Sequence, residues 1–286
     1  MPAFILLQYL LPQHALSRVV LWATRLRWRP FKNLLISRFV RGFAPDLSDA
    51  DRSDPLDYES FNAFFTRALQ PGARPLPMAA RSLASPVDGT LSQAGPITQG
   101  QLLQAKGHHY SLQALLAGAA AEWSGAFADG LFATIYLAPY NYHRIHMPAD
   151  GVLREAWHVP GALFSVNTTT AAHVPALFAR NERVVLLFEG EAGPFAVILV
   201  GALFVGSMTT VWHGDVSPRR GRRPTRLVAQ PDAAPLALAR GAELGRFNMG
   251  STVILLYGRG QAQLRDSMLP GTVLRMGEPL GEVTPP

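Results

Sequence analysis

Four short segments bring together the residue types that acid–base and nucleophilic chemistry needs. Ser85-Pro86-Val87-Asp88-Gly89-Thr90 sets a carboxylate between a proline and a glycine, in a tight turn before a strand. Asp-Gly is also a common turn pair and forms such turns without any further role. In Leu137-Ala138-Pro139-Tyr140-Asn141-Tyr142-His143-Arg144-Ile145-His146-Met147-Pro148, two histidines three apart directly follow a strand. Histidine is the usual general base near neutral pH, above all when a carboxylate orients it. Such a pair can also ligate metal, but no third ligand stands nearby, and His108-His109 is the only other histidine cluster. In Met249-Gly250-Ser251-Thr252 the glycine tolerates strained backbone and leaves Ser251 access to its own preceding carbonyl. The same pair also reads as a strand-entry turn. The aromatic stripe of Tyr58-Glu59-Ser60-Phe61-Asn62-Ala63-Phe64-Phe65-Thr66-Arg67, ahead of Gly72-Ala73-Arg74-Pro75, reads first as core packing.

The elements that must hold these groups change character along the chain. Leu16, Val19, Val20, Ala23 and Leu26 recur at helical spacing, and Pro30 is expected to end that helix. Phe31, Leu34, Leu35 and Phe39 begin a second helix. Residues 45–56 read as a polar, acidic connector, and Tyr58 to Leu69 as a third helix. Pro71, Gly72, Pro75 and Pro77 then break the chain, which places a domain boundary between residues 1–76 and 77–286. Beyond residue 80 the pattern turns to strands: Leu131 to Leu137, a hairpin of Arg183 to Glu189 with Phe195 to Val205, then Thr209 to Trp212. Ser251 to Tyr257 is a near-continuous apolar run, as expected of a strand buried on both faces. Gly271 to Val283 adds one or two short strands. Helical signals are few here, mainly Ser111 to Leu116 and Thr169 to Phe178. The fold class expected is α+β: a mostly β catalytic domain, sandwich- or barrel-like, preceded by amphipathic helices.

Composition narrows the classes further. The 286 residues are 48% hydrophobic and 16% charged, which supports a sizeable core and argues against disorder. Without cysteine, disulfides, thiolate nucleophiles and Cys-ligated zinc are excluded. Formal net charge is +6, and Lys32 and Lys106 are the only lysines. Residues 1–44 carry Arg18, Arg25, Arg27, Arg29, Lys32, Arg38 and Arg41 beside Phe4, Trp22, Trp28, Phe31 and Phe39, and the first acidic residue is Asp46. This pattern points to basic amphipathic helices on an anionic membrane. The alternative is an arm whose apolar face packs on its own domain. Phe4 to Leu11 is too short to span a bilayer, which takes about 20 apolar residues. A secretory signal fits poorly because the positive charges follow the apolar run. An Arg-rich, acid-free start also leaves a mitochondrial transit peptide open.

In order and spacing, these segments resemble the phosphatidylserine decarboxylase family. The resemblance runs from about residue 56 to residue 260. It includes Ala105-Lys106-Gly107-His108, Val205-Gly206-Ser207 with Val211-Trp212, and Glu243-Leu244-Gly245-Arg246-Phe247. Met249 stands where the family most often has Leu, and Asn141 where an Asp is common. The resemblance implies a short, bacterial-type, pyruvoyl-dependent precursor. Asp88 would orient and polarise His146, and His146 would take the proton of Ser251, as in a Ser-His-Asp triad. Attack on the Gly250 carbonyl and elimination would cut the chain into a β chain (1–250) and an α chain (251–286), with Ser251 converted to a covalent pyruvoyl group. His143 would take part in decarboxylating phosphatidylserine to phosphatidylethanolamine. Decarboxylation needs an electron sink, and neither lysine is well placed to hold pyridoxal: Lys32 lies in the basic arm, and Lys106 has no phosphate-cradling glycine loop beside it. The implied partners are an anionic phospholipid membrane, phosphatidylserine, and the chain's own two fragments as a heterodimer, with a higher homo-oligomer open. The expected location is the cytoplasmic face of the cell membrane, with the mitochondrial inner membrane as the alternative.

Two other classes compete. Some sugar-phosphotransfer modules carry a similar Ser-Pro-Val-Asp-Gly turn and a working histidine, but that reading leaves the Gly-Ser-Thr strand and the basic arm without a purpose. A serine hydrolase using Ser251, His146 and Asp88 would lack a Gly-x-Ser-x-Gly elbow. Nucleic acid is not expected as a partner, since the β region has no interleaved basic and aromatic platform.

Overall fold

The computed structural model describes residues 2–117, 121–204, 207–216, 223–227 and 236–284. Its centre is the most apolar stretch of the sequence. All six residues of the strand Thr252–Tyr257 are buried. It pairs antiparallel, without a register break, with Leu131–Tyr136 on one side and Gly193–Val200 on the other. Val253 faces Ile135 and Leu199, and Leu255 faces Ala133 and Val197. A strand covered on both faces has no solvent side to supply with polar residues, so alternation disappears from its sequence. The sheet extends outward through Arg183–Gly190 and Gly151–Val159 on one side and Gly89–Pro96 on the other. A second, four-stranded sheet holds Arg144–His146 beside Glu243–Phe247. The protein is α+β with a mostly β body, as expected.

Several boundaries differ from the sequence expectation. The helix α1 (Ala3–Leu10) is followed by α2 (Gln13–Thr24) and α3 (Arg29–Phe43). Pro30 therefore opens α3 instead of ending α2; in a first turn its missing N–H costs nothing. The third expected helix shrinks to α4 (Phe61–Phe65). It is started by the Ser60 hydroxyl, which accepts from the Ala63 N–H, and closed by the Thr66 hydroxyl, which donates to the Asn62 carbonyl. The helix expected over Thr169–Phe178 splits into Thr168–Ala171 and Leu177–Arg180, because Pro175 keeps Val174 out of the helical region. The strand expected to reach Val205 stops at Val200, and Val205 and Gly206 lie outside the described residues. The strand expected over Thr209–Trp212 is Met208–Thr210.

Hydrophobic packing forms two clusters. The smaller joins Ile36 and Phe39 of α3 to Tyr58, Phe61, Phe64 and Phe65. The larger fills the β body, and Met249 packs against both. The arm is partly docked and partly free. Ile5 is fully buried in the β-body core, and Gln8 accepts from the Ser165 N–H at 2.8 Å. Gln13 likewise accepts from the Leu163 N–H. Leu10, Trp22 and Trp28 remain 81%, 65% and 68% exposed. No single helix among the described residues is long and apolar enough to cross a membrane.

Gly89, after the Asp88 turn, is among the glycines that leave no room for a side chain. A Cβ on Gly89 would stand 2.5 Å from the Tyr136 carbonyl oxygen. Gly89→Ala should therefore cost about 2–4 kcal/mol, read as a lower midpoint in chemical denaturation. An unchanged midpoint would show that the Asp88 turn gives way freely.

Candidate active site

Ser251 sits one residue ahead of the central strand. Its carbonyl accepts from the Leu137 N–H at 2.9 Å, which carries the ladder one step beyond the Thr252–Tyr136 pair. Ser251 is fully buried, and its hydroxyl has no hydrogen-bond partner. Gly250 does not adopt a left-handed φ, so the strained backbone expected there is absent. The space around the glycine is tight instead. A Cβ at that position would lie 3.3 Å from Nε2 of His143 and 3.4 Å from the Leu137 carbonyl oxygen.

The loop carrying this pair is tied down from three directions. Phe247 N–H donates to the His143 carbonyl, and Asn248 donates through its side chain to the hydroxyls of Ser207 and Thr209. Asn62 of α4 donates to the Asn248 carbonyl at 3.0 Å. The Phe65 ring lies 4.0 Å from the His143 ring, centre to centre. The segment read from sequence as core packing thus also positions the loop.

The two histidines have different surroundings. His143 is fully buried, and its Nδ1 lies 2.8 Å from the Asn141 carbonyl oxygen. A carbonyl only accepts, so Nδ1 carries the proton and Nε2 keeps a lone pair with no partner. Burial pushes the His143 pKa down to about 3; the Asn141 bond opposes that shift and the Arg67 charge adds to it. His146 has its Nδ1 2.8 Å from the Gly241 carbonyl and its Nε2 2.9 Å from the Tyr142 hydroxyl. Burial lowers its pKa too; the Gly241 bond and then the Glu243 charge work the other way, the Arg144 charge adds to the lowering, and the Asp88 charge opposes it least. Burial raises the pKa of Tyr142, so its hydroxyl stays protonated and donates to His146.

Asp88 is buried in the turn that the Ser85 hydroxyl closes onto the Val87 carbonyl. It does not hydrogen-bond His146, and here the expected triad needs correcting. Asp88 instead accepts from the Met276 N–H at 2.7 Å and from Nε and Nη2 of Arg74 at 3.3 and 2.9 Å. Arg74 reaches Asp49 with its remaining nitrogen at 2.5 Å. Burial opposes its charge, but the two carboxylates outweigh it and hold its pKa above the usual value. The groups bonded to the His146 ring are Gly241 and Tyr142, and the Glu243 charge favours its protonated form more than the Asp88 charge does. Backbone links place the turn beside that histidine, since His146 N–H donates to the Pro86 carbonyl. Neither Arg74 nor Tyr142 was marked as functional in the sequence, although both lie inside segments that were singled out there. Among the described residues no group of three or more His, Asp or Glu side chains could hold a metal.

An apolar cavity of about 260 Å³ ends at Gly250. Phe39 and Phe43 of α3 line it, with Phe65, Val166, Phe204 and Met249. The family model for phosphatidylserine decarboxylase matches residues 61–282. The chain belongs to the phosphatidylserine decarboxylase family. A second model, named PSD, matches residues 3–44. The chain is 52% identical over 275 residues to a phosphatidylserine decarboxylase proenzyme of Pseudomonas aeruginosa (strain LESB58), covering 96% of this chain and 95% of that one. The proenzyme of Pseudomonas putida (strain GB-1) is 51% identical, with 98% and 97% covered. That of Ectopseudomonas mendocina (strain ymp) is 52% identical, with 97% of each covered.

Two outcomes follow for this member of the decarboxylase family. Folded His143 stays neutral to about pH 3, whereas the unfolded chain binds a proton there below about 6.5. The unfolded state then holds more protons, so acidification from about 6.5 toward 3 removes stability. His143→Gln should flatten that loss in melting temperature against pH, and parallel curves would rule out the buried neutral state. Arg74→Met should slow self-cleavage about tenfold or more by freeing Asp88, with partial recovery in Arg74→Lys; equal rates in all three proteins would remove Arg74 from the site.

Proposed function

We propose that the chain is made as one precursor that cuts itself between Gly250 and Ser251 and then converts phosphatidylserine to phosphatidylethanolamine and CO2. The observation that carries this is the Ser251 hydroxyl, buried without a partner behind a glycine that the bare Nε2 of His143 closely approaches. A hydroxyl held this way suits attack on its own preceding carbonyl, and the site therefore fits a pyruvoyl group made from Ser251.

In this reading His146 takes the Ser251 proton, with Asp88 stabilising the imidazolium through space. Nε2 becomes available once the Tyr142 hydroxyl swings aside. Ser251 Oγ bonds to the Gly250 carbonyl carbon, the Gly250–Ser251 C–N bond breaks, and an ester remains. Elimination releases the Gly250 carboxylate and leaves dehydroalanine at 251, and hydrolysis then expels ammonia. The resulting pyruvoyl group supplies an electron sink for the electrons that CO2 leaves behind. His143 Nε2, beside that position and excluded from water, holds and returns the proton of the decarboxylation step. The two fragments stay together because residues 252–257 are the middle of a sheet paired on both sides.

The same proposal places residues 1–76 as the membrane-associating part and 77–286 as the catalytic domain, peripheral on the cytoplasmic face of the cell membrane. Exposed Trp22 and Trp28 beside arginines suit an anionic bilayer surface. α3 lines the cavity that ends at Gly250, which offers an apolar route from that surface to the reacting bond.

Intact mass spectrometry of the wild type beside Ser251→Ala tests the reading. Fragments 1–250 and 251–286 are expected from the wild type, the smaller blocked at its N-terminus, and a single chain from the variant. An uncut wild type in the presence of its lipid would overturn self-processing.

A further inference from the structure

Among the described residues two arginines lie almost wholly inside the protein, and they are satisfied very differently. Arg183, 2% exposed, donates to the carbonyls of Leu115, Ala179, Asn181 and Ala114 at 2.6–2.9 Å. Arg67, 3% exposed, makes two long contacts from Nη2, 3.5 Å to the Asp46 carbonyl and 3.4 Å to that of Tyr140. Its Nε–H has no partner at all. A buried guanidinium so poorly compensated is costly unless an anion completes it.

Arg67 lines a polar pocket of about 280 Å³ together with Arg52, Arg144 and Arg246. Arg144 and Arg246 stand directly opposite each other on neighbouring strands, an arrangement that like charges disfavour. They share one carboxylate, Glu243, at 2.8 and 3.5 Å. On the exposed rim Asp51 accepts from the Tyr58 hydroxyl at 2.5 Å and lies 4.0 Å from Nε of Arg52, and Glu59 pairs with Arg27. Deeper in the pocket, Arg144 and Arg246 have Glu243 as their carboxylate partner, and Arg67 has no carboxylate within ion-pair distance among the described residues. None of its lining residues lines the cavity that ends at Gly250.

We infer that this pocket binds a phosphate group, carried by an anionic lipid headgroup or by a free phosphate ester, at a site separate from the one that cuts the chain. Guanidinium forks match phosphate oxygens two at a time, and several converging forks exceed what one carboxylate can accept. The inference does not depend on the decarboxylase reading.

The test titrates the full-length protein at low salt with inorganic phosphate and with glycerol 3-phosphate, by calorimetry. Flotation follows on phosphatidylcholine vesicles with and without phosphatidylglycerol. Variants are Arg67→Met and, because loss of a buried arginine can unfold the chain, Arg246→Gln at the partly exposed wall. Binding should be saturable and about tenfold or more weaker in each folded variant. Arg38→Gln, on the exposed face of α3, should leave binding of the two soluble probes unchanged. Saturable binding of the soluble probes identifies a free ester as sufficient. Binding seen only with phosphatidylglycerol vesicles, and weakened in the variants, identifies a lipid headgroup. The inference is overturned if Arg246→Gln binds the soluble probes and the vesicles as the wild type does, or if the wild type binds none of them.

Discussion

The antiparallel ladder around Thr252–Tyr257 fixes where Ser251 can be. Because the Leu137 N–H holds the Ser251 carbonyl, the residue cannot drift to find a partner for its hydroxyl. A buried hydroxyl left unpaired costs about 1–3 kcal/mol. The hydroxyls of Thr252 and Tyr257 in the same strand are also unpaired, so the orphan alone does not mark a nucleophile. The neighbours do: a glycine on the carbonyl side and an imidazole nitrogen without a proton beside it. Strain of this kind persists where surrounding structure over-determines it, and two fully paired neighbouring strands provide that.

Charge is arranged around this ladder so that both sides of the scissile bond stay connected. Asp88, from the long segment, accepts from the Met276 N–H of the short one. Arg275 of the short segment reaches Asp46 and Asp49 at 3.5 and 3.6 Å. Arg74 joins the two sets by bridging Asp49 and Asp88. Sheet pairing and this network, buried at Arg74 and Asp88 and exposed at Arg275 and Asp46, therefore both join the segments before and after Gly250. Arg74 is only 9% exposed at its side chain, so water screens its pair with Asp88 weakly.

Helix α3 serves two surfaces at once. Ile36 and Phe39 pack on the aromatic cluster of α4, while Phe39 and Phe43 also line the cavity that reaches Gly250. α4 in turn bonds the reactive loop through Asn62 and shields His143 through Phe65. The arm and the loop at Gly250 are therefore joined by packed side chains.

The sequence by itself determined the central strands Leu131–Tyr136 and Thr252–Tyr257, because a near-continuous apolar run is a local signal, but it did not show Gly151–Val159 or Glu243–Phe247 as strands. It also singled out Asp88, His143, His146, Gly250 and Ser251 as candidates, because residue types and their order need no geometry. Helix ends were less legible: Pro30 can close one helix or open the next, and the choice depends on what α3 packs against. Only the tertiary structure decided which partners those groups take. Arg74 lies fourteen residues before Asp88 in sequence, and Gly241 is ninety-five residues beyond His146. No local pattern encodes a carbonyl at such a distance. The same holds for Arg67: its sequence neighbours suggested core packing, and only the folded chain showed a buried charge left without an anion. Periodicity is written in the chain, whereas desolvation and long-range hydrogen bonding exist only after it has closed on itself.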